Sequence, residues 1–364
     1  MNTKPFDMSQ KPSKQYPFLM PIIWLGSYIM TRPHKLKIEK ENMAGVKPPY
    51  LVIAAHQGFA DYYIGPLAIF PHRAIYVSDM EGFAAFGKWL YRGLGCIGKR
   101  RYVPEIFVIK HIKYALSINQ SVFIYPESRH SNVGTTAYIP KNLGRLAKMM
   151  NVPLVVLSEN GSYLANPFWD EENTRKVPIK AKLTCLYNKE SLKNASAEEV
   201  QQKIEKALIY DEYKYQKDNK IKISYKKRAE GLHKPLYQCI NCDTKYDMTS
   251  YDSYLKCNCC GKKWEMNEYG ELLSNEKNAA SIHIPDWYEK EKNNLISELN
   301  KVSDSFFKEY NVSIEALYNE NGFVSMGEGK LTVNSLEFEL ETEKSEHHFP
   351  HAVRESVQTE YNYK

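Results

Sequence analysis

Between residues 49 and 187 the chain alternates short apolar runs with amphipathic stretches, and this limits its possible folds more than any other feature of its 364 residues. The runs at 50–55, 74–78, 121–125 and 152–158 have the length and continuity of strands buried on both faces. Between them, residues 61–69, 83–94, 103–119 and 143–150 space their apolar side chains as helices do. Strands and helices taken in turn imply an α/β layer, a largely parallel sheet flanked by helices. Ligands settle at the strand ends of such sheets, and the chemistry-bearing residues of this chain fall there.

The first run delivers Ala55-His56-Gln57-Gly58-Phe59-Ala60-Asp61. A histidine and an aspartate five apart share no helix face well, because helical neighbours lie three or four apart. His56 and Asp61 meet if the histidine ends the strand and the aspartate opens the next helix, with Gly58 easing the turn. An imidazole steadied by a carboxylate is a general base able to take a proton from an alcohol. The third run ends in Tyr125-Pro126-Glu127-Ser128-Arg129-His130, which places Glu127, Ser128 and Arg129 at a strand exit beside His56. A carboxylate and a forked guanidinium there suit a polyol or phosphate head group. Between residues 93 and 101, Gly93, Gly95 and Gly98 are followed by Lys99, Arg100 and Arg101, which reads as a cationic loop suited to phosphate oxygens. Taken singly, each block has a plainer reading as a surface ion pair or a solvated turn, and it is their order that joins them.

In that order the blocks resemble those of the glycerolipid acyltransferase family, typified by 1-acylglycerol-3-phosphate acyltransferases, over roughly residues 35 to 210. His56 and Asp61 match its His-x4-Asp block, and Gly95 to Arg101 loosely match its Gly-and-Arg block. Pro126-Glu127-Ser128-Arg129 match in part its Pro-Glu-Gly-Thr-Arg block, and Val152-Pro153 match its Val-Pro block. Ser-Arg-His replaces Gly-Thr-Arg after Glu127, which brings the arginine one position nearer the glutamate. The resemblance implies an O-acyltransferase that moves a fatty acyl group from acyl-CoA, acyl carrier protein or acyl phosphate to a hydroxyl of a lysophospholipid or glycerol phosphate. It implies His56 as general base, Asp61 as the group that orients it, and no catalytic cofactor. Glu127, Ser128, Arg129, Lys99, Arg100 and Arg101 would hold the acceptor. The rival expectation is a catalytically silent scaffold or lipid sensor whose cysteine module binds a protein or nucleic-acid partner.

Five of the seven cysteines fall between residues 239 and 260, while Cys96 and Cys185 stand apart as packing residues. Cys239-x2-Cys242 and Cys257-x2-Cys260 form two knuckles, the spacing with which four thiolates hold a structural zinc. Cys259 reads as a spectator, with a Cys257/Cys259 register swap as the alternative. Trp264 and the Tyr269-Gly270 turn suit the hairpin of a zinc ribbon. Lysines and tyrosines around it, such as Lys263 and Tyr254, resemble a stacking platform for single strands. They also coat ordinary ribbons, so a structural or protein-contact role is the reading preferred over nucleic acid.

The ends complete the plan. The apolar, aromatic stretch 16–30 is shorter than the roughly 20 residues a spanning helix needs, and Pro17 and Pro21 interrupt it. It reads as an interfacial anchor with Trp24 and Tyr28 at headgroup depth, the alternative being a first helix packed on the core. The net charge of +6 suits an anionic membrane surface or phosphate-bearing substrates and is weak evidence for nucleic acid. The expected location is the cytoplasmic face of a membrane, as a peripheral or monotopic protein. A helix is expected from Ile284 to about Tyr310, then short antiparallel strands over 324–340 and a polar tail from Glu341. The expected units are an interfacial segment at 1–34, an acyltransferase-like domain at 35–215, a zinc ribbon at 234–272 and a small α+β module at 280–364.

Overall fold

Seven strands build the central sheet: β1 (Lys37–Glu41), β2 (Leu51–Ala54), β3 (Ala74–Asp79), β4 (Ile97–Lys99), β5 (Ser121–Ile124), β6 (Leu154–Asn160) and β7 (Lys180–Tyr187). Their spatial order is β1-β7-β6-β2-β5-β3-β4. β7 runs antiparallel to β6, and the other neighbours are parallel. The computed structural model describes residues 4–100, 105–170, 173–276, 280–301, 307–334, 337–343 and 345–350. All four residues of β2 are buried, as expected of a central parallel strand covered on both faces. The four runs expected as strands are β2, β3, β5 and β6.

The three strands that pattern reading missed each lack a continuous apolar run. β1 (Lys-Ile-Glu-Lys-Glu) is an edge strand, and its charges blunt that edge against pairing with another chain. β7 alternates buried and partly exposed residues because one face only is covered. β4, expected as part of a loop, is too short to register, yet Ile97 is buried and Gly98 lets the ring of Phe6 come close.

Helices cover the sheet: α1 (Leu19–Thr31), α2 (Asp61–Ala68), α3 (Met80–Phe86), α4 (Lys88–Gly93), α5 (Ile106–Ser117), α6 (Leu143–Met150), α7 (Ser162–Ala165), α8 (Lys189–Asn194), α9 (Ala197–Leu208) and α10 (Glu212–Asp218). The stretch 83–94, expected as one helix, is split between α3 and α4 at Gly87, whose φ of 87° is left-handed. Pro21 lies in the first turn of α1, where its missing N–H costs little, so it does not interrupt the helix. α9 opens on a capping box in which Ser196 and Glu199 satisfy each other's backbone N–H groups.

A second sheet, β8 (Met248–Tyr251), β9 (Tyr254–Cys257), β10 (Lys263–Met266) and β11 (Leu272–Ser274), is antiparallel throughout. α11 (Ile284–Lys301) packs on it through Trp287, whose ring meets Trp264 edge-on at 4.8 Å and whose Nε1 donates to the Gln238 carbonyl at 2.8 Å. The helix ends at Lys301, short of the expected Tyr310. Tyr310, Val312 and Ile314 recur at period two, the strand repeat, and belong to β12 (Phe307–Ala316). β12, β13 (Val324–Asn334), β14 (Glu337–Thr342) and β15 (Glu346–Pro350) form an antiparallel meander. Thus the polar stretch from Glu341 carries ordered strand as far as Pro350.

One continuous apolar core runs from the central sheet into the second one. It includes Val52, Ala54, Tyr163 and Trp169 on one side and Leu236, Cys239, Leu255, Trp264 and Trp287 on the other.

Candidate active site

β2 ends at Ala54, and the amide of Ala55 still pairs with Leu157 O at 3.1 Å, so His56 is the first residue beyond the sheet. Asp61 opens α2 five residues later and is fully buried. The turn between them folds around that carboxylate. Asp61 Oδ2 accepts from Gln57 N at 2.7 Å, from Gly58 N at 3.1 Å and from His56 Nδ1 at 3.1 Å. Its other oxygen, Oδ1, accepts from Ser162 Oγ at 2.6 Å. Gly58 does not adopt a left-handed φ; it is favoured by proximity, since a Cβ there would sit 3.3 Å from Asn166 O. Donation from Nδ1 fixes the imidazole tautomer and leaves Nε2 as the basic nitrogen.

Glu127 leaves β5 on the neighbouring strand and is completely buried. Its Oε1 accepts from His56 N at 2.9 Å, and its Oε2 accepts from Ala137 N at 2.8 Å and Tyr210 Oη at 3.2 Å. Both oxygens are therefore occupied inside the protein. Burial pushes the carboxyl up to about 7, against the lowering effect of those donors. Aromatic rings wall the imidazole: Tyr125 lies at 4.6 Å, His130 edge-on at 4.3 Å and Tyr62 at 5.8 Å. The His56 side chain keeps 10% of its surface exposed, enough for approach from one direction.

The family model for the Acyltransferase family matches residues 34–158, the stretch that contains this turn and both strand exits. Residues 34–158 form an acyltransferase-family domain. Among solved structures, the chain is similar to the 1-acyl-sn-glycerophosphate (LPA) acyltransferase PlsC from Thermotoga maritima, with 17% identity and a TM-score of 0.43, over 52% of this chain and 77% of that one. No curated protein matches the chain.

In the acyltransferase domain the expected acceptor-binding residues lie at the ends of β4 and β5, the two strands that flank β3. Lys99, at the end of β4, reaches Ser128 Oγ at 3.4 Å, which joins the basic block to the block after β5. Desolvation lowers the Lys99 ammonium from its ordinary value. Ser128 holds a left-handed φ of 57°. Arg129 Nε is buried without a hydrogen-bond partner among the described residues, so the guanidinium keeps a donor in reserve. Arg100 instead turns to Glu105, its Nε lying 2.5 Å from Oε1. Arg101 lies outside the described residues.

The sequence reading missed Gln57, Ser162 and Tyr210, which bond to the turn, to Asp61 and to Glu127 and hold them in place. Gln57 Nε2 donates to Glu159 O at 2.6 Å and ties the His56 turn to β6. Ser and Gln are too common for such roles to show without a fold.

The four expected metal ligands converge. The sulfurs of Cys239, Cys242, Cys257 and Cys260 all lie within 4.8 Å of one another, with Cys239–Cys260 at 3.8 Å and Cys242–Cys257 at 3.7 Å. A tetrahedron with zinc–sulfur bonds of about 2.3 Å has edges of about 3.8 Å, so the donor set fits a thiolate-bound metal. Cys259 is exposed and stands outside the cluster.

Proposed function

We propose that this protein is a membrane-surface O-acyltransferase that acylates a hydroxyl of a lysophospholipid or related glycerol phosphate. The observation that carries the reading is the His56–Asp61 pair, with Nδ1 committed to a buried carboxylate and Nε2 left for the acceptor. His56 Nε2 takes the hydroxyl proton as the acceptor oxygen attacks the acyl carbonyl of acyl-CoA, acyl carrier protein or acyl phosphate. The bond from the acyl carbon to sulfur or phosphate oxygen then breaks, and the imidazolium returns its proton to the leaving group. Asp61 steadies the imidazolium meanwhile.

Arg129, Lys99 and Ser128 hold the acceptor phosphate, with Arg100 and Arg101 as further cations of the same block. Glu127 acts from behind, fixing the His56 amide and the 127–137 loop. α1 supports a location on the membrane surface. Among the described residues, no helix is long and apolar enough to cross a bilayer. Phe18, Ile22, Leu25 and Ile29 are nonetheless 58–66% exposed, and α1 packs on α2, the helix that begins with Asp61. In the ribbon, Cys239, Cys242, Cys257 and Cys260 would hold zinc as a structural staple with no part in the reaction.

The test is product analysis by mass spectrometry. Purified protein, an acyl-CoA or acyl carrier protein donor, and lysophosphatidate in mixed vesicles should give the diacyl product. Arg129→Ala should raise the acceptor KM about tenfold or more, as loss of one charge-assisted phosphate contact requires. An unchanged KM would remove Arg129 from the acceptor site.

A further inference from the structure

Beneath the His56–Asp61 pair lies a second carboxyl that the mechanism above does not use. Glu159 sits near the end of β6, is only 2% exposed, and has its main chain bound by Gln57. Among the described residues, neither of its carboxyl oxygens meets a backbone N–H or a side-chain donor. What faces it is the carboxyl of Asp61. The two groups are unequally served. Asp61 receives His56 Nδ1, Gln57 N, Gly58 N and Ser162 Oγ, while Glu159 receives no donor among the described residues.

Two buried carboxylates in contact cannot both be ionised, and the one surrounded by donors keeps the charge. We propose that Glu159 is a positioning residue for the base, its carboxyl held neutral and its proton donated to the Asp61 carboxylate. This rests on the reading of His56 as general base. The strongest influences on Glu159 among the described residues act in the same direction. Burial raises its pKa well above the usual carboxylate range, and the neighbouring carboxyls, Asp61 before Glu212 and Glu127, push the same way. Tyr125 also lies within its field and stays neutral. A neutral Glu159 completes the set of donors around Asp61 and leaves a single negative charge beneath the imidazole. An ionised one would add a second negative charge there and hold a proton on His56, leaving less free imidazole to take one from the acceptor.

Glu159→Gln keeps the volume, the neutrality and a donor, whereas Glu159→Ala removes all three. The glutamine variant should keep kcat within roughly threefold, with the acid limb of its pH–rate profile unmoved. The alanine variant should lose about a hundredfold in kcat with little change in KM, the scale of a misplaced catalytic group. If Glu159 were ionised, Glu159→Gln would instead shift the acid limb down by about one pH unit or more, since removing a negative charge lowers an imidazole pKa. That shift, or collapse of the glutamine variant on circular dichroism, would overturn the proposal, as would an alanine variant of unchanged kcat. A second measurement needs no activity: the wild-type infrared spectrum at neutral pH should contain a protonated carboxylic-acid carbonyl band that Glu159→Gln lacks. Absence of that difference rejects the proposal, whereas an inactive wild type that shows the band rejects only the base reading.

Discussion

Asp61 concentrates four donors on one buried carboxylate, and most of what this site requires follows from that. Asp61→Asn keeps the shape but presents an amide where acceptors are needed, so Nδ1 loses its partner and the tautomer is no longer fixed. The expected loss in kcat is about a hundredfold or more, the range in which general-base catalysis contributes. Ser162→Ala removes only the 2.6 Å bond to Oδ1. It should cost about 1.5–3 kcal/mol, the value of a hydrogen bond to a charged group, read as a lower kcat at nearly constant KM. Equal kcat for wild type and Ser162→Ala would show that the second oxygen needs no support. His56 and Asp61 were legible because their residue types and spacing are uncommon at a strand end. Glu159 left a weaker signal, a lone acid closing an otherwise apolar strand, and nothing in the sequence tells which way such an acid points.

At the scale of elements, α10 shows how much of the fold lies beyond pattern reading. The stretch after Tyr210 is rich in Lys, Tyr and Asp and shows no apolar pattern, yet Glu212 is buried and accepts from Gly161 N at 2.6 Å and Asn160 Nδ2 at 3.0 Å. The helix thereby braces the turn before Ser162. Burial raises both Glu212 and Glu127 from 4.5 to about 7. Between those values the folded chain holds protons that the unfolded chain has released, so stability is greatest at the acid end. It falls as pH rises towards about 7 and levels off above. Urea titrations at fixed zinc should show a loss of about 1 kcal/mol per group between pH 6 and 8, and Glu212→Gln should remove its share. A slope of opposite sign would mean that neither carboxyl is protonated when folded. On α1, replacing both Ile22 and Leu25 by Glu should weaken binding to anionic vesicles at least about tenfold, since each buried aliphatic side chain is worth about 1.5–3 kcal/mol. Binding unchanged by sedimentation would place the membrane contact elsewhere. β2, β3, β5 and β6 were readable because burial on both faces leaves a continuous apolar run, and β1 and β7 were not because an edge or one open face dilutes it.

Across the whole molecule, the ribbon and the acyltransferase domain share one core. Leu232 and Leu236 lead into Cys239, and the cluster continues through Trp264 and Trp287 to Tyr163 and Trp169. Arg175 reinforces the join, pairing with Asp170 at 2.9 Å and donating to Arg228 O at 3.2 Å. The ribbon is thus a staple on the acyltransferase-family domain, and metal loss should be felt there. Cys239→Ser should release the metal and lower the melting temperature of the whole chain, whereas Cys259→Ser should do neither. Metal analysis beside calorimetry checks both, and identical behaviour of the two variants would overturn the ligand assignment. The cysteine spacing announced the four-sulfur cluster, but nothing in the sequence shows that its hydrophobic back is the floor of another domain.

The central claim is that His56 removes the acceptor proton. The most direct test compares wild type and His56→Ala, matched for fold and zinc content, for diacyl product from acyl donor and lysophosphatidate. The account predicts product from the wild type and a rate about a hundredfold or more lower from the variant, the contribution of a positioned base. Equal rates, or no product from the wild type with any acyl donor or lysolipid, would contradict it.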